Sequence, residues 1–156
     1  MENLIIEPLK GYGDIKFGMS IDEVVNVFGT PSNHEELEPI IEGNEISSIL
    51  YDYDDIAVSV CFEGTDKLLG FAMINEYLQK FKEGHSIAEY LVIPKYRRNK
   101  IGKKIAFEIF DKFPGNWEVS PSYNSEKAYL FWKKTIEEYT NKNCKFEDGI
   151  FLFNNN

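Results

Sequence analysis

The segment that most constrains the fold runs from residue 87 to residue 113. It begins with an aliphatic stretch, Ile87–Ile93, which is typical of a buried strand and which Pro94 ends. From residue 101 apolar side chains recur at every fourth position, and this spacing predicts a helix over 101–113. The apolar stripe consists of Ile101, Ile105, Ile109 and Phe113. A strand that leads directly into a helix indicates an α/β layer arrangement.

A basic island, Lys95–Lys104, lies at the junction of this strand and helix. Six of its ten residues are basic and none is acidic: Lys95, Arg97, Arg98, Lys100, Lys103 and Lys104. The first turn of a helix leaves backbone N–H groups without helical partners, and the helix dipole adds positive charge there. Phosphate oxygens bind well at such a position. Residues 93–104 therefore predict a site for a phosphate-bearing cofactor, with a diphosphate as the fitting size.

The other elements follow from shorter patterns. Ser20 and Glu23 form a capping box for a helix that Gly29-Thr30-Pro31 stops, and apolar spacing predicts another helix over 128–139. Residues 32–47, which are acidic and poor in apolar side chains, are expected to form an exposed loop. Strands are predicted over 3–6, 49–53, 56–62, 67–75, 117–120 and 145–153, with Asp148-Gly149 as a candidate hairpin turn in the last.

Length and composition limit the class of protein. A chain of 156 residues with 43% hydrophobic residues suits one folded domain and is too apolar for a disordered protein. Its apolar runs are far shorter than a membrane-spanning helix needs, and no secretory signal follows Met1. Cys61 and Cys144 form neither a disulfide framework nor a metal motif. We expect a cytoplasmic protein without a membrane partner.

The net charge of −9 is unevenly distributed. Residues 1–75 hold three basic and 15 acidic residues, whereas residues 76–156 hold 14 basic and 11 acidic ones. The acidic half would repel a long nucleic acid, so the basic island suits a small polyanion better. Acidic side chains could draw a cationic acceptor, with surface solubility as the alternative role. They are Asp52, Asp54, Asp55, Glu35, Glu36 and Glu38.

Three segments in order resemble the GNAT-type N-acetyltransferases. The first, Ile93–Gly102, resembles the acetyl-CoA signature of that family, a Gln/Arg-x-x-Gly-x-Gly/Ala turn. The resemblance continues after it through residues 113–119 and 128–132. It also extends back to residues 69–75, which match the strand that usually precedes the cofactor-binding strand. The resemblance covers residues 67–153. It implies a mixed, mostly antiparallel twisted sheet with flanking helices. Residues 67–156 would be the acetyl-CoA-binding half of a single domain, and 1–66 a divergent acidic half on the acceptor side.

The resemblance also assigns roles. It implies that acetyl-CoA binds through a set of backbone and side-chain groups: Leu91, Val92, Ile93, Arg97, Arg98, Asn99, Lys100, Ile101, Gly102, Lys103, Asn124 and Ser125. Glu89 matches the acid that deprotonates the acceptor amine in many members, and the amide of Val92 would stabilise the oxyanion. The implied acceptor is a small-molecule or peptide amine, and the protein a monomer or homodimer.

Three positions depart from the family pattern. Lys100 replaces the first glycine of the turn, which is unfavourable if φ is positive there. Ser125 occupies the position of the usual asparagine, with Asn124 one residue early. Trp132 aligns with the tyrosine that commonly protonates the leaving thiolate, so Tyr123 and Tyr129 become the candidate general acids, with water as the alternative.

Two alternatives remain open at this level. Residues 11–31 are faintly similar to small bacterial immunity-type domains, with a Phe-Gly-Met-Ser turn before a short helix, so the chain could instead be a binding protein that keeps the scaffold without turnover. Glu89 could instead be a sheet-edge or an ion-paired carboxylate. His34 and His85 are expected at the surface, no metal site is expected, and Phe131, Trp132 and Cys61 are expected to pack in the core.

Overall fold

Eight strands form an open mixed sheet in a computed structural model, which describes residues 6–7, 11–12, 14–16, 18–37, 48–63, 67–93 and 100–156. Among the described residues the elements in chain order are β1 (Ile6–Glu7), β2 (Gly11–Tyr12), β3 (Ile15–Lys16), α1 (Ile21–Phe28), β4 (Asn33–Leu37), β5 (Ser48–Tyr53), β6 (Val58–Glu63), β7 (Lys67–Asn75), β8 (His85–Val92), α2 (Ile101–Lys112), β9 (Asn116–Val119), α3 (Glu126–Tyr139), β10 (Lys145–Glu147) and β11 (Ile150–Asn154). A 3-10 turn, Asp54–Ile56, separates β5 from β6.

The order of the large sheet is β10-β11-β9-β8-β7-β6-β5-β4, and β1–β3 form a small sheet of their own. The pairs β4–β5, β5–β6, β6–β7, β9–β11 and β10–β11 are antiparallel, whereas β8 pairs with β9 in parallel. This confirms the expected mixed, mostly antiparallel sheet with helices. None of the helices in the described ranges is both long and apolar enough to cross a membrane.

The expectation of a loop over 32–47 was wrong for its first part. Asn33–Leu37 is a strand, and all five of its residues pair with β5, from Asn33↔Asp52 to Leu37↔Ser48. Only Leu37 is buried, and the others are exposed. An edge strand gains its structure from backbone bonds to one neighbour and often carries charged side chains, so the pattern gave no apolar signal. Residues 38–47 lie outside the described part, as do 3–5 of the predicted first strand.

The predicted hairpin at the end of the chain is confirmed. β10 pairs with β11 in antiparallel register, Glu147↔Ile150. Asp148 and Gly149 between them have φ of 51° and 80°. Two consecutive positive φ values match the type I′ turn that Asp-Gly favours, because its twist follows that of the strands. The strand predicted from residue 56 instead begins at Val58, after Ala57 adopts a left-handed φ of 53°.

The chain divides into two compact units, and the first comprises residues 1–73 and 90–102. The capping box starts α1 as predicted: the Ser20 side chain accepts from the Glu23 N–H, and the Glu23 carboxylate accepts from the Ser20 N–H at 2.8 Å. Ile21 and Val24 of α1 are buried in an apolar cluster with side chains of the sheet. Burial of this helix face is what holds an eight-residue helix, which would be marginal alone.

The second unit comprises residues 74–89 and 103–156 and has an aromatic core. Phe110 of α2 lies at its centre, with ring centroids 4.9 Å from Trp117, 5.0 Å from Phe153 and 5.1 Å from Tyr139. The pairs with Trp117 and Phe153 are edge-to-face, and such pairs stabilise beyond the area that they bury. Trp132 is buried here as expected. His85, expected at the surface, is half-buried because its ring packs between Phe113 and Trp117.

Candidate active site

Glu89 lies in the second half of β8 and is exposed, whereas the other residues of this strand are half-buried. Alternation along a strand places its side chain on the same face as that of Leu91. Desolvation by the neighbouring protein atoms raises the pKa of the Glu89 carboxyl above its ordinary value. A carboxylate with a raised pKa accepts a proton more readily than a free one, as a general base requires.

The parallel pairing of β8 with β9 extends over three positions and ends at Ile87↔Val119. β8 itself continues to Val92. The backbone N–H of Ile93 donates to the carbonyl of Leu69 on β7 at 2.9 Å. Because successive residues of a strand point their backbone groups to opposite edges, Leu91 and Ile93 face β7, and the backbone of Val92 faces the other edge. Of the three predicted backbone contacts, Val92 is the one directed away from β7.

The residue that precedes α2 has a left-handed backbone conformation. Lys100 has φ of 61°, so the lysine in place of the motif glycine adopts the conformation that glycine favours. Ile101 follows as the first helical residue and is buried, as are Ile105 and Ile109 of the predicted stripe. The predicted ligands Arg97, Arg98 and Asn99 lie outside the described residues.

Tyr90 links β8 to the first turn of α2. Its hydroxyl donates a hydrogen bond to the carbonyl oxygen of Gly102, the second residue of the helix. Tyr90 was not among the predicted site residues. The alternation of side chains along β8 could have indicated it, because Tyr90 follows Glu89 and therefore lies on the opposite face of the strand. This bond ties the strand to the helix end on which the predicted diphosphate site depends.

Lys103 is engaged with another helix. Its Nζ lies 2.7 Å from Oε1 of Glu138 on α3, and 5.9 Å from the centroid of the Phe107 ring. Both charged groups are part-exposed, so the pair contributes little to stability. The Lys103 ammonium is thus directed to α3, while its backbone N–H belongs to the first turn of α2.

The remaining predicted residues lie around the start of α3. Ser125 is the N-cap of this helix, and its Oγ accepts from the Ala128 N–H at 3.2 Å. Asn124 is exposed with a left-handed φ of 56°. Tyr123 is 93% exposed. Tyr129, in contrast, packs its ring 5.0 Å from that of Phe146 and 5.7 Å from that of Phe151.

Only some of the acidic residues that were predicted to attract a cationic acceptor lie at the surface. Asp52 is 1% exposed and accepts a hydrogen bond from the Ser59 Oγ at 2.7 Å, so its assignment to that surface was wrong. The alternation of β5 directs Asp52 inward together with Ser48 and Leu50. Asp54, Asp55, Glu35 and Glu36 are exposed, and Glu38 lies outside the described residues.

Glu118 on β9 is a buried carboxylate that no sequence pattern indicated. This carboxylate is 3% exposed and accepts from three consecutive backbone N–H groups, those of Gln79 at 2.8 Å, Lys80 at 2.6 Å and Phe81 at 2.8 Å. Burial raises the pKa of Glu118, but the three backbone hydrogen bonds together with the charge of Lys80 outweigh it, and the net pKa is lowered. Glu118 thereby anchors the loop before β8. No cluster of three or more potential metal ligands occurs among the residues described.

The open mixed sheet with its parallel β8–β9 pair and its helices defines the class as an α/β protein. Comparison with known families agrees: a sequence model of the Acetyltransferase (GNAT) family matches residues 25–135. The chain belongs to this family. The match begins at Val25 and thus includes most of the half that the sequence analysis regarded as divergent. No curated protein sequence matches the chain.

Proposed function

We propose that the protein is an acetyl-CoA-dependent N-acetyltransferase, with Glu89 as the base for an acceptor amine. The observation that carries this proposal is the left-handed start of α2, which follows β8 in a chain of the GNAT family. β8 continues beyond its pairing with β9, and the left-handed Lys100 leads into a helix whose first-turn N–H groups have no partner within the helix. The backbone of β8 beyond its pairing with β9 suits a pantetheine arm, and the first-turn N–H groups of α2 suit a diphosphate.

Acetyl-CoA would supply a thioester carbonyl carbon that the nitrogen of the amine attacks. Glu89 takes the proton of the amine, directly or through one water. The family resemblance assigns the amide of Val92 as the donor to the oxygen on which negative charge develops. The C–S bond then breaks, and Tyr129, Tyr123 or water returns a proton to the thiolate.

The amides of Ile101, Gly102 and Lys103 hold the diphosphate in this proposal, and the helix dipole adds to their attraction. The family resemblance implies that Arg97, Arg98 and Asn99 also take part in cofactor binding, and that Asn124 or Ser125 contacts the distal part of the cofactor. The ammonium of Lys103 has Glu138 as its partner, so its backbone is the contributing part.

The first experiment separates an enzyme from a binding protein without cofactor. Thermal unfolding is measured with acetyl-CoA and with CoA. At a hundredfold excess over Kd, ligand linkage adds about 2.7 kcal/mol, and about 2–4 °C per kcal/mol gives a shift of several degrees. The absence of a shift with either ligand would overturn the proposal and favour a scaffold that binds another partner.

The second experiment tests Glu89. Thiol release from acetyl-CoA is followed with a panel of amines for the wild type, Glu89→Gln and Glu83→Gln. We expect Glu89→Gln to lower kcat/KM about 10²–10⁴-fold while the acetyl-CoA thermal shift persists. Glu83 is exposed in the loop before β8, so Glu83→Gln controls for the loss of one carboxylate.

The pH dependence of kcat/KM tests the protonation state in which Glu89 acts. Glu89 acts as a base only when it is deprotonated, so kcat/KM rises with pH through a pKa above the ordinary glutamate value, and Glu89→Gln removes that limb. If Glu89→Gln had the same kcat/KM as the wild type at every pH, Glu89 would not be the base.

A further inference from the structure

β10 is the outermost strand at one end of the large sheet. Its inner side pairs with β11, and within the described part of the chain no strand pairs with its outer side. All three of its residues, Lys145–Glu147, are exposed. An edge strand presents backbone N–H and C=O groups that a strand of another chain can bind. The outer side of β10 is therefore a candidate interaction surface.

The hairpin register decides which backbone groups of β10 face outward. Glu147 and Ile150 flank the two-residue turn, and such a turn joins the C=O of its first residue to the N–H of its fourth. Hydrogen-bonded and non-hydrogen-bonded pairs alternate along an antiparallel ladder. The next pair, Phe146↔Phe151, is thus a non-hydrogen-bonded one. The N–H and C=O of Phe146 therefore face the outer side, at the centre of the strand.

The side chain of Phe146 adds apolar surface beside these backbone groups. It is 47% exposed, although its ring centroid lies 5.0 Å from that of Tyr129 and 4.5 Å from that of Phe151. Phe151 is buried, so this aromatic cluster extends from the core to the edge of the sheet. An aromatic ring from another chain would cover the exposed part of Phe146 and form a further aromatic pair.

The charges on either side of Phe146 identify the partner. Lys145 and Glu147 have opposite signs and project from the face of β10 opposite to Phe146. If two copies of β10 pair antiparallel about Phe146, Lys145 of each copy lies opposite Glu147 of the other. Opposite charges directly across an antiparallel pair are favourable, whereas like charges are unfavourable. Parallel pairing in register would bring like charges together, so the pattern suits a second copy in antiparallel orientation.

The ion pairs within one copy leave charge available for this contact. The Lys80 ammonium bonds to the carboxylates of both Glu147 and Asp148, so these three groups together carry one net negative charge. Within the described ranges the Lys145 ammonium takes part in no ion pair. Lys145 of a second copy would therefore meet an excess of negative charge beside Glu147.

We propose that the protein forms a homodimer in which two β10 strands pair antiparallel about Phe146 and join the large sheets of the two copies. The Phe146 N–H of each copy donates to the Phe146 carbonyl of the other. The interface is isologous, since the same surface of each copy takes part, and it closes at two copies. Acetyl-CoA has no part in this contact, so the inference does not depend on the proposed function.

Sedimentation equilibrium of the full chain tests the oligomeric state, under reducing conditions that prevent a disulfide through the half-buried Cys144. Because a three-residue strand forms a small interface, we expect a weak dimer with a Kd on the order of 10–100 µM. A wild type that stays monomeric at about 500 µM would overturn the inference. Assembly beyond the dimer would also overturn it, since an isologous contact closes at two copies.

Two charge reversals test whether Lys145 and Glu147 meet across the interface. Lys145→Glu and Glu147→Lys each place like charges opposite each other at both symmetric positions, so each variant alone should dimerise about 10–100-fold more weakly than the wild type. Mixed in equal amounts, the two variants should form a heterodimer with about the wild-type Kd, because every glutamate then lies opposite a lysine. A mixture as monomeric as the separate variants would overturn the inference.

Phe146→Thr tests the aromatic part of the interface. Threonine suits a strand but lacks the ring, so we expect a dimer at least about 10-fold weaker. Tyr77→Thr is the matched control, because Tyr77 is 86% exposed in the loop before β8 of the same unit, and its Kd should equal that of the wild type. Thermal unfolding of each variant shows that it is folded. A wild-type Kd for folded Phe146→Thr would overturn the inference.

Discussion

Replacement of Glu118 by glutamine tests whether this buried carboxylate stabilises the fold through its three backbone hydrogen bonds. Oε1 accepts from the N–H groups of Lys80 and Phe81, and Oε2 accepts from that of Gln79. Glutamine keeps one oxygen, which can serve Lys80 and Phe81 as a neutral acceptor. Its amide NH₂ would then oppose the Gln79 N–H, donor against donor.

The expected loss follows from that geometry. A hydrogen bond to a charged group contributes about 1.5–3 kcal/mol, and a buried donor without a partner costs about 1–3 kcal/mol. The lost hydrogen bond and the unpaired donor concern the same Gln79 N–H group, so the two costs are not added in full. We therefore expect Glu118→Gln to lower the free energy of unfolding by about 2–3 kcal/mol at pH 7. Glu118→Ala leaves all three N–H groups without the carboxylate and should cost about 3–5 kcal/mol.

Urea unfolding at constant m-value measures this loss. Glu147→Gln is the matched control, since Glu147 also bonds to Lys80, at 3.3 Å from its Nζ, but is exposed. We expect the control to stay within about 0.5 kcal/mol of the wild type. Equal midpoints for Glu118→Gln and Glu147→Gln would refute the reasoning that burial and backbone bonding make the difference.

The pH dependence gives a second check on Glu118. Its folded-state pKa is lowered, so the stability that it contributes is present above the unfolded-state pKa, about 4.3, and is lost as pH falls through the folded-state pKa. The difference between the wild type and Glu118→Gln should therefore shrink on acidification below about pH 4. A difference that stays constant down to that range would contradict the lowered pKa.

Three further substitutions probe local geometry by urea unfolding. Gly70→Ala would place a Cβ 2.5 Å from the backbone oxygen of Leu91, so we expect a loss of about 1–3 kcal/mol from the strained sheet, and a neutral effect would contradict that close approach. Lys100→Gly should raise the free energy of unfolding by about 0.5–1 kcal/mol because it relieves the left-handed φ, and a lower value would show that the lysine side chain outweighs the strain. Lys103→Gln should cost less than about 1 kcal/mol, and salt should reduce the difference, because the ion pair with Glu138 is part-exposed. A loss of several kcal/mol would assign Lys103 a structural role.

The features that the sequence predicted correctly depend on residues close together in the chain. The capping box of α1 joins residues three apart, the Asp148-Gly149 turn needs two residues with positive φ, and the stripe of α2 repeats every four. Local hydrogen bonds and side-chain periodicity determine such features, so a single sequence contains their signal. The order of a strand, a basic island and a helix belongs to the same class, and it carried the family resemblance that the comparison confirmed.

Distant residues decided the rest. β4 has an acidic, exposed sequence, and only its pairing with β5 makes it a strand. Asp52 is buried because its strand turns it inward to Ser59, and the amides that hold Glu118 lie more than thirty residues earlier in the chain. Lys103 likewise bonds to Glu138, far along the chain.

Sequence alone thus determined the local elements and the family to which the chain belongs. Tertiary packing alone decided which polar groups are buried, which of them have partners, and that the Tyr53 hydroxyl has none among the described residues. The physical reason is that burial and pairing depend on which distant segments meet, and the free energy of that meeting is shared over many contacts that no local pattern records.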